Sequence, residues 1–257
     1  MIDLHSHIIP KIDDGSGSIE ETFNILKEAV NSGFTDIIST SHYIENHYEA
    51  DVAERKAWIN ALQMNLNEKK IPIKLYNGTE AYVSLELDNL IKSNKIATLN
   101  NSRYILFELP MNSELKYLNE VICKLLDLKL VPIIAHPERY IYVQQDPNIL
   151  IELINKGVMF QSNYGSIVGI YGKKAKLTVE KLLKANMIHF LGTDTHKQNT
   201  IYPIINEILL KLEKIVGEEK LKQLTETNPR LVIENKRIEV EEPKEVKKSF
   251  LEKLKIK

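Results

Sequence analysis

The chain has 257 residues, of which 43% are hydrophobic and 27% charged, a formal net charge of −1 and one cysteine, Cys123. That length buries a sizeable core, as one large domain or two small ones, while the charge balance gives no sign of a field for nucleic acid or an anionic membrane. The lone cysteine excludes an intrachain disulfide framework, no apolar run approaches the roughly 20 residues of a membrane span, and there is no basic-then-apolar leader, so a cytoplasmic protein is expected.

The first apolar run, residues 1–5, predicts a strand that runs into His5-Ser6-His7 and then the turn I-D-D-G at 12–15. Ser18 with Glu21 forms a capping box, Phe23, Leu26, Ala29 and Val30 share one helical face, and Gly33 stands where that helix stops. Strand 36–40 leads to His42, a helix is predicted over 46–70, and strand 73–79 leads through Asn77-Gly78 to Glu80. Strand 104–108 ends on Glu108, helix 113–129 follows, and strand 131–135 ends before His136. Helix 147–156, strand 158–162, helix 174–185, strand 188–193 and helix 203–216 continue the alternation. Repeated strand–helix units predict a parallel sheet closed into a barrel, with an open doubly wound sheet as the alternative. From Lys236 the pattern gives way to a charged tail, so residues 1–235 are expected to form one domain and 236–257 an appendage. Residues 239–257 carry Val246, Phe250, Leu251 and Leu254 among lysines, which suits a solvated, frayed terminus or a docking helix for a kinase or membrane surface.

The metal-grade side chains recur at one kind of place. His5, His7, His42, Glu80, Glu108, His136, Asp194 and His196 all stand at or just past predicted strand ends, which in a barrel share one rim. Five of the seven histidines fall there; His47 and His189 read as a helix-surface and a core histidine. Singly, Glu80 also fits a solvated loop carboxylate, and His136 a capping donor before Pro137. Together with Asp14 these residues make an imidazole–carboxylate set suited to hard or borderline divalent cations, and too large for one ion. Two or three ions bridged by a carboxylate are expected, and clustered metals clamp the attacking and leaving oxygens of phosphoryl transfer.

H-S-H at 5–7, I-D-D-G at 12–15, S-H at 41–42, Glu80, F-E-L-P at 107–110, H-P-E-R-Y at 136–140 and T-D-T-H at 193–196 resemble the PHP (polymerase and histidinol phosphatase) superfamily. More closely, with Q-S-N-Y-G-S-I-V-G-I-Y-G at 161–172 and N-P-R at 228–230, the chain is similar to the CpsB/CapC branch, manganese-dependent protein-tyrosine phosphatases of bacterial capsule and exopolysaccharide loci. The resemblance covers roughly residues 1–235 and implies a distorted (β/α)7 barrel with a trinuclear site at the C-terminal strand ends. It implies that His5, His7, Glu80 and Asp194 hold one ion, that Glu80 bridges to a second completed by Glu108 and His136, and that Asp14, His42 and His196 hold a third. Manganese is the implied metal, with iron, zinc or magnesium as alternatives. Arg139 is the implied phosphate holder. Only five arginines occur among 34 basic residues, and a guanidinium fork suits phosphate oxygens. Its bland alternative is a surface ion pair with Glu138 or a neighbour. The branch carries a further arginine after its last D-x-H, where this chain has Lys197-Gln198-Asn199-Thr200, which leaves Lys197 as a weak substitute. Tyr164 replaces a smaller residue, which narrows the rim or offers a ring to stack on a substrate.

A hydroxide activated between ions attacks phosphorus in such a site, with Arg139 neutralising charge and Asp13 or Asp194 relaying a proton. The cysteine route needs an arginine six residues after the thiol; Lys129 stands there, and Cys123 reads as a packed core thiol. The expected substrate is phosphotyrosine on a flexible segment. The resemblance names a cognate bacterial tyrosine kinase, through which any membrane contact is indirect, and no nucleic-acid partner is expected. Tyr43, Tyr140, Tyr164 and Tyr171 are candidates to pack on the substrate ring. Two rivals are a histidinol-phosphate or other small-molecule phosphomonoesterase, and a metal-stabilised, non-catalytic regulator of a kinase. A nuclease is disfavoured by the absence of a basic stripe.

Overall fold

A computed structural model describes residues 1–247. Nine short strands run β1 (Ile2–Ser6), β2 (Asp36–Ser39), β3 (His42–Tyr43), β4 (Lys74–Asn77), β5 (Glu80–Tyr82), β6 (Tyr104–Glu108), β7 (Val131–Ala135), β8 (Met159–Asn163) and β9 (Phe190–Gly192). Every pairing is parallel, in the orders β1-β2-β4 and β3-β5-β6-β7-β8-β9. β2 with β3, and β4 with β5, are two halves of single staves, each broken for two residues. The ladder crosses the breaks, because Thr40 N donates to Ser6 O and Glu80 N to Thr40 O, both at 2.8 Å. The second break passes through Gly78, where a Cβ would lie 2.9 Å from the Leu99 side chain. The staves close into a barrel: Asp194 N donates to His5 O at 2.8 Å and His7 N to Thr195 O at 2.9 Å. The open doubly wound alternative is thereby excluded.

Alternation explains the two apolar layers. Leu4, Ile38, Tyr76, Leu106, Ile133, Met159 and Phe190 fill the interior, while Ile37, Leu75, Ile105, Ile134, Phe160 and Leu191 face the surrounding helices. Those helices include α1 (Ile19–Asn31), α2 (Val52–Glu68), α3 (Leu87–Lys92), α4 (Leu118–Asp127), α5 (Ile141–Gln145), α6 (Ile149–Asn155), α7 (Tyr164–Val168), α8 (Lys173–Lys184), α9 (Ile205–Val216), α10 (Glu218–Lys222) and α11 (Asn228–Ile233). Ser18 caps α1 through Glu21 N, and the Glu21 carboxylate returns to Gly17 N rather than to the cap itself. Val232 of α11 seals the interior where the strands begin, and Arg230 forks onto Asp36 at 3.1 and 2.7 Å. The N-P-R motif therefore closes the floor of the barrel. Among the described residues, no helix is long and apolar enough to cross a membrane.

Several expectations are corrected. The helix predicted over 46–70 starts only at Val52, because Asn46 takes φ +63° in a turn and Asp51 caps the helix through Glu54 N. His47 consequently lies in that turn, not on a helix. Cys123 is exposed on α4, whose buried face is Val121, Ile122 and Leu125. Tyr164 is fully buried and packs edge-on to Phe34, so it neither narrows the rim nor meets a substrate. Residues 239–247 are not frayed. Lys220 pairs with Glu241 at 2.7 Å, Lys244 N donates to Ala185 O, and the Asn148 amide grips both backbone groups of Val246. The docking-helix candidates Phe250, Leu251 and Leu254 lie outside the described residues.

Candidate metal centre

The rim is built by small departures from strand regularity. Ile2 and Asp3 pair with Asp36 and Ile37, but Ser6 pairs with Ser39, a slip of one residue. This bulge re-aims the strand so that His5 and His7, both fully buried, face the axis. His136 and Asp194 adopt left-handed backbone, φ +36° and +54°, which turns them inward after their strands end. Glu80 and Glu108 need no such device, since both stand on inward positions of β5 and β6. Gly192 is required: a Cβ there would lie 2.6 Å from that of His5 and 2.9 Å from Gln161.

The donors converge on Glu80. His5 Nε2 lies 2.9 Å and His7 Nε2 3.2 Å from its Oε2, and each is 3.4 Å from Asp194 Oδ1. His42 Nδ1 lies 3.2 Å from Glu80 and 3.6 Å from Glu108, while His136 Nε2 lies 3.0 Å and 3.7 Å from the same two carboxylates. His42 Nε2 and His196 Nε2 approach Asp14 at 3.7 and 3.4 Å. Three sets have donor atoms close enough to share an ion: His5, His7, Glu80 and Asp194; His42, Glu80 and Glu108; and His7, Asp14, His42 and His196. The first matches the implied grouping. In the second His42 joins the carboxylates that were expected with His136, and in the third His7 is added.

A divalent cation fits this chemistry. The set is imidazole and carboxylate without thiolate, and the buried Nδ1 of His42, aimed at two carboxylates, makes no hydrogen bond. Burial opposes charge on His5, yet Glu80 and Asp194 outweigh it and raise its pKa to about 9. Burial, reinforced by Glu80 and Asp194, lifts Glu108 to about 8. Burial also works against the Glu80 carboxylate, but His5 and His42 hold it well below the ordinary range. Such opposed shifts mark mutually dependent charges, which a divalent cation would neutralise in place of protons.

A surrounding layer fixes the imidazoles. His5 Nδ1 donates to Gln161 Oε1 at 2.7 Å, His7 Nδ1 to Asp13 at 2.8 Å and His196 Nδ1 to Asp194 O at 2.9 Å. Each acceptor holds the proton on Nδ1 and leaves Nε2 facing the cluster. Asp13 also accepts from the backbone N of His42 and Gly15, so the structure brings it to the centre as a support behind His7. Arg139 does not pair with Glu138. Its Nη1 lies 3.0 Å from Asp194 Oδ2 and its guanidinium lies over the Tyr171 ring at 4.5 Å. Glu138 is buried, accepting from Asn163 N and Ser166 Oγ. Lys197 Nζ donates to Gly15 O beside the I-D-D-G turn.

Sequence reasoning missed Gln161, Asn163 and Arg55. The first two stand on alternate, inward positions of β8 within a motif already noted; their period of two was the available signal. Arg55 is fully buried and donates to the carbonyls of Ser41, His42 and Ala50, pinning the strand end that carries His42. Nothing in an arginine in the first turn of a helix announces this.

A closed parallel barrel with a histidine–carboxylate cluster at its C-terminal rim belongs to the class that assembles its functional site on strand ends. Within it, residues 1–234 match the family described as capsular polysaccharide synthesis, CpsB/CapC, and the chain belongs to that family. It is 33% identical over 251 residues to the tyrosine-protein phosphatase YwqE of Bacillus subtilis (strain 168), covering 98% of each chain. It is 31% identical over 240 residues to the tyrosine-protein phosphatase CpsB of Streptococcus pneumoniae, covering 91% of this chain and 98% of that one. A crystal structure from work on YwqE and CpsB, described as metal-dependent tyrosine phosphatases, superposes with a TM-score of 0.90 at 32% identity, over 96% of this chain and 100% of that one. A histidinol phosphate phosphatase from Lactococcus lactis shares the fold, at a TM-score of 0.56 and 17% identity.

Proposed function

We propose that this protein is a metal-dependent protein-tyrosine phosphatase that hydrolyses phosphotyrosine on a bacterial tyrosine kinase controlling capsule or exopolysaccharide synthesis. The observation that carries the reading is Arg139 against Asp194 at the edge of the buried donor cluster, a phosphate holder beside a cation site. We assign His5, His7, Asp14, His42, Glu80, Glu108, His136, Asp194 and His196 to two or three ions, manganese by preference, since hard oxygen and imidazole donors suit it. Ions held there supply Lewis acidity and acidify water for attack on phosphorus.

The chain's own groups do the rest. Arg139 spends one donor on Asp194 and keeps its other N–H groups for the equatorial phosphoryl oxygens, while Tyr171 beneath it fixes the guanidinium plane. Asp194 stays ionised although burial opposes it, because His5 and His7 hold its carboxyl far below the ordinary range. Its Oδ2 accepts from Arg139 Nη1 at 3.0 Å and from Asn163 Nδ2 at 2.7 Å, so it orients the guanidinium beside the cluster. Asp13 holds His7 and the backbone of His42 in place. A tyrosine leaving group, with a pKa near about 10, needs less protonation than an alkoxide, which favours aryl esters. A kinase that uses ATP places the reaction in the cytoplasm.

The test is a panel with metal-reconstituted protein: phosphotyrosine and phosphoserine peptides, histidinol phosphate, and metal analysis of the purified protein. Phosphotyrosine peptides are expected to exceed the others in kcat/KM by at least about tenfold, or roughly 1.4 kcal/mol. Preference for histidinol phosphate would replace this reading with the small-molecule phosphatase, and no turnover of any ester would support the non-catalytic regulator.

A further inference from the structure

Tyr43, Tyr140 and Tyr164 are buried, and Tyr171 lies under Arg139, so the tyrosines picked out from the sequence leave the mouth of the site without an open aromatic wall. Two others stand there. Tyr82 is two residues beyond Glu80 on the same inward face of β5, pairs in register with Glu108, and is 39% exposed. The backbone bond from Val83 N to Glu108 O, 3.0 Å, fixes this end of the stave. A large exposed ring on an inward barrel position, one step above Glu80 and level with Glu108, has no packing role that explains it.

Tyr48 reaches the rim by a different route. After β3 the chain turns through Asn46, with Ile44 N to Tyr48 O and Tyr48 N to Ile44 O both at 2.8 Å. The turn returns the half-buried Tyr48 ring alongside the His42 imidazole, 13° from parallel with centroids 6.4 Å apart. Arg55 binds the carbonyls on both flanks of this turn, so the ring is presented on an anchored loop. Glu108 belongs to one outer donor group and His42 to both, so each outer group has a tyrosine at its edge.

We propose that Tyr48 and Tyr82 form an aromatic mouth that selects aryl over alkyl phosphates by packing on the ring of the substrate. The proposal rests on the phosphatase reading above and deepens it. The ring face, not the hydroxyl, carries the contact: aromatic pairs add attraction beyond their buried area, and an alkyl ester has no ring to receive it.

The experiment measures kcat/KM for phenyl phosphate and for glycerol 2-phosphate with the metal-loaded full chain, in Y48A, Y82A, the double variant, Y48F and Y82F. Calorimetric binding of phenylphosphonate against methylphosphonate supplies a readout independent of turnover. Each alanine variant is expected to lower the aryl-to-alkyl ratio about five- to tenfold, with the same trend in phosphonate binding, and the phenylalanine variants to keep the wild-type ratio. A ratio unchanged in the double variant, or equal losses on both esters, would overturn the aromatic mouth. Wild-type protein inert on both esters would instead overturn the phosphatase reading, so the two failures are distinguishable.

Discussion

Glu80 is the side chain on which most of the centre depends. Its two oxygens face His5, His7, His42 and His136, so it touches four imidazoles from three other staves at once. Glu80→Gln keeps the shape and removes the charge. It is expected to abolish turnover and lower bound metal, measured by elemental analysis, while circular dichroism stays native; a fully active variant would remove Glu80 from the centre. Arg139→Ala is expected to cost roughly tenfold to a thousandfold in kcat/KM, the scale of one lost charge-stabilising donor. Cys123→Ser, on the exposed face of α4, should leave kcat/KM within about twofold, near the scatter of surface substitutions. The opposite ranking of Arg139 and Cys123 would point to thiolate chemistry. The nine residues singled out in the sequence meet at one rim, and eight of them fall in the three donor sets, because imidazoles and carboxylates at strand ends are chemically conspicuous; His136 approaches Glu80 and Glu108 but joins none of the sets. The supports of these residues were not legible. Gln161, Arg55 and the bulge at Ser6 act through backbone geometry or distant contacts that single-residue chemistry does not signal.

At the scale of elements, β9 shows how much a strand's meaning depends on its flanks. The apolar run 188–193 was legible as a strand, yet only Phe190–Gly192 are paired, and the residue before them plays a separate part. His189 Nδ1 accepts from Phe160 N at 3.0 Å, and Asn228 Nδ2 donates to its carbonyl at 2.8 Å, joining β8, β9 and α11 at the barrel floor. Burial, with Lys220 nearby, pushes this imidazole down to about 3, so it stays neutral in the folded protein. The unfolded chain binds a proton below its ordinary value near 6.5 and the folded chain does not, so stability is full above that pH and falls as pH drops towards 3. For one group the loss from pH 7 to pH 5 is about 2 kcal/mol. His189→Gln, which retains an acceptor for Phe160 N, is expected to remove that part of the decline in urea midpoints. An identical decline in both proteins would show that other groups carry it. The helix predicted over 46–70 failed for a related reason: periodicity continues through residues whose turn is set by Asn46 and capped by Asp51, and Tyr48 was hidden with it.

Across the whole molecule, the donors come from β1, β3, β5, β6 and the ends of β7 and β9, so the centre links staves that the backbone holds separately. The seam between β1 and β9 is the weakest closure, a single parallel bridge at Ser6 and Thr195 with its neighbouring backbone bonds, and His5, His7 and Asp194 face one another across it. A cation held by these three with Glu80 would cross-link that seam. A ligand bound only by the folded state stabilises it by about 2.7 kcal/mol when present at a hundred times its dissociation constant. For a chain of this size that corresponds to roughly 5–10 °C in melting temperature. Exhaustive chelation is therefore expected to lower Tm by that amount together with loss of activity, and readdition of Mn²⁺ to restore both. Glu80→Gln should melt near the chelated wild type and respond little to Mn²⁺, because the oxygen shared by the donor groups has lost its charge. If metal analysis shows complete removal and Tm stays where it was, the centre contributes nothing to closing the barrel, and the seam is held by its backbone bonds alone.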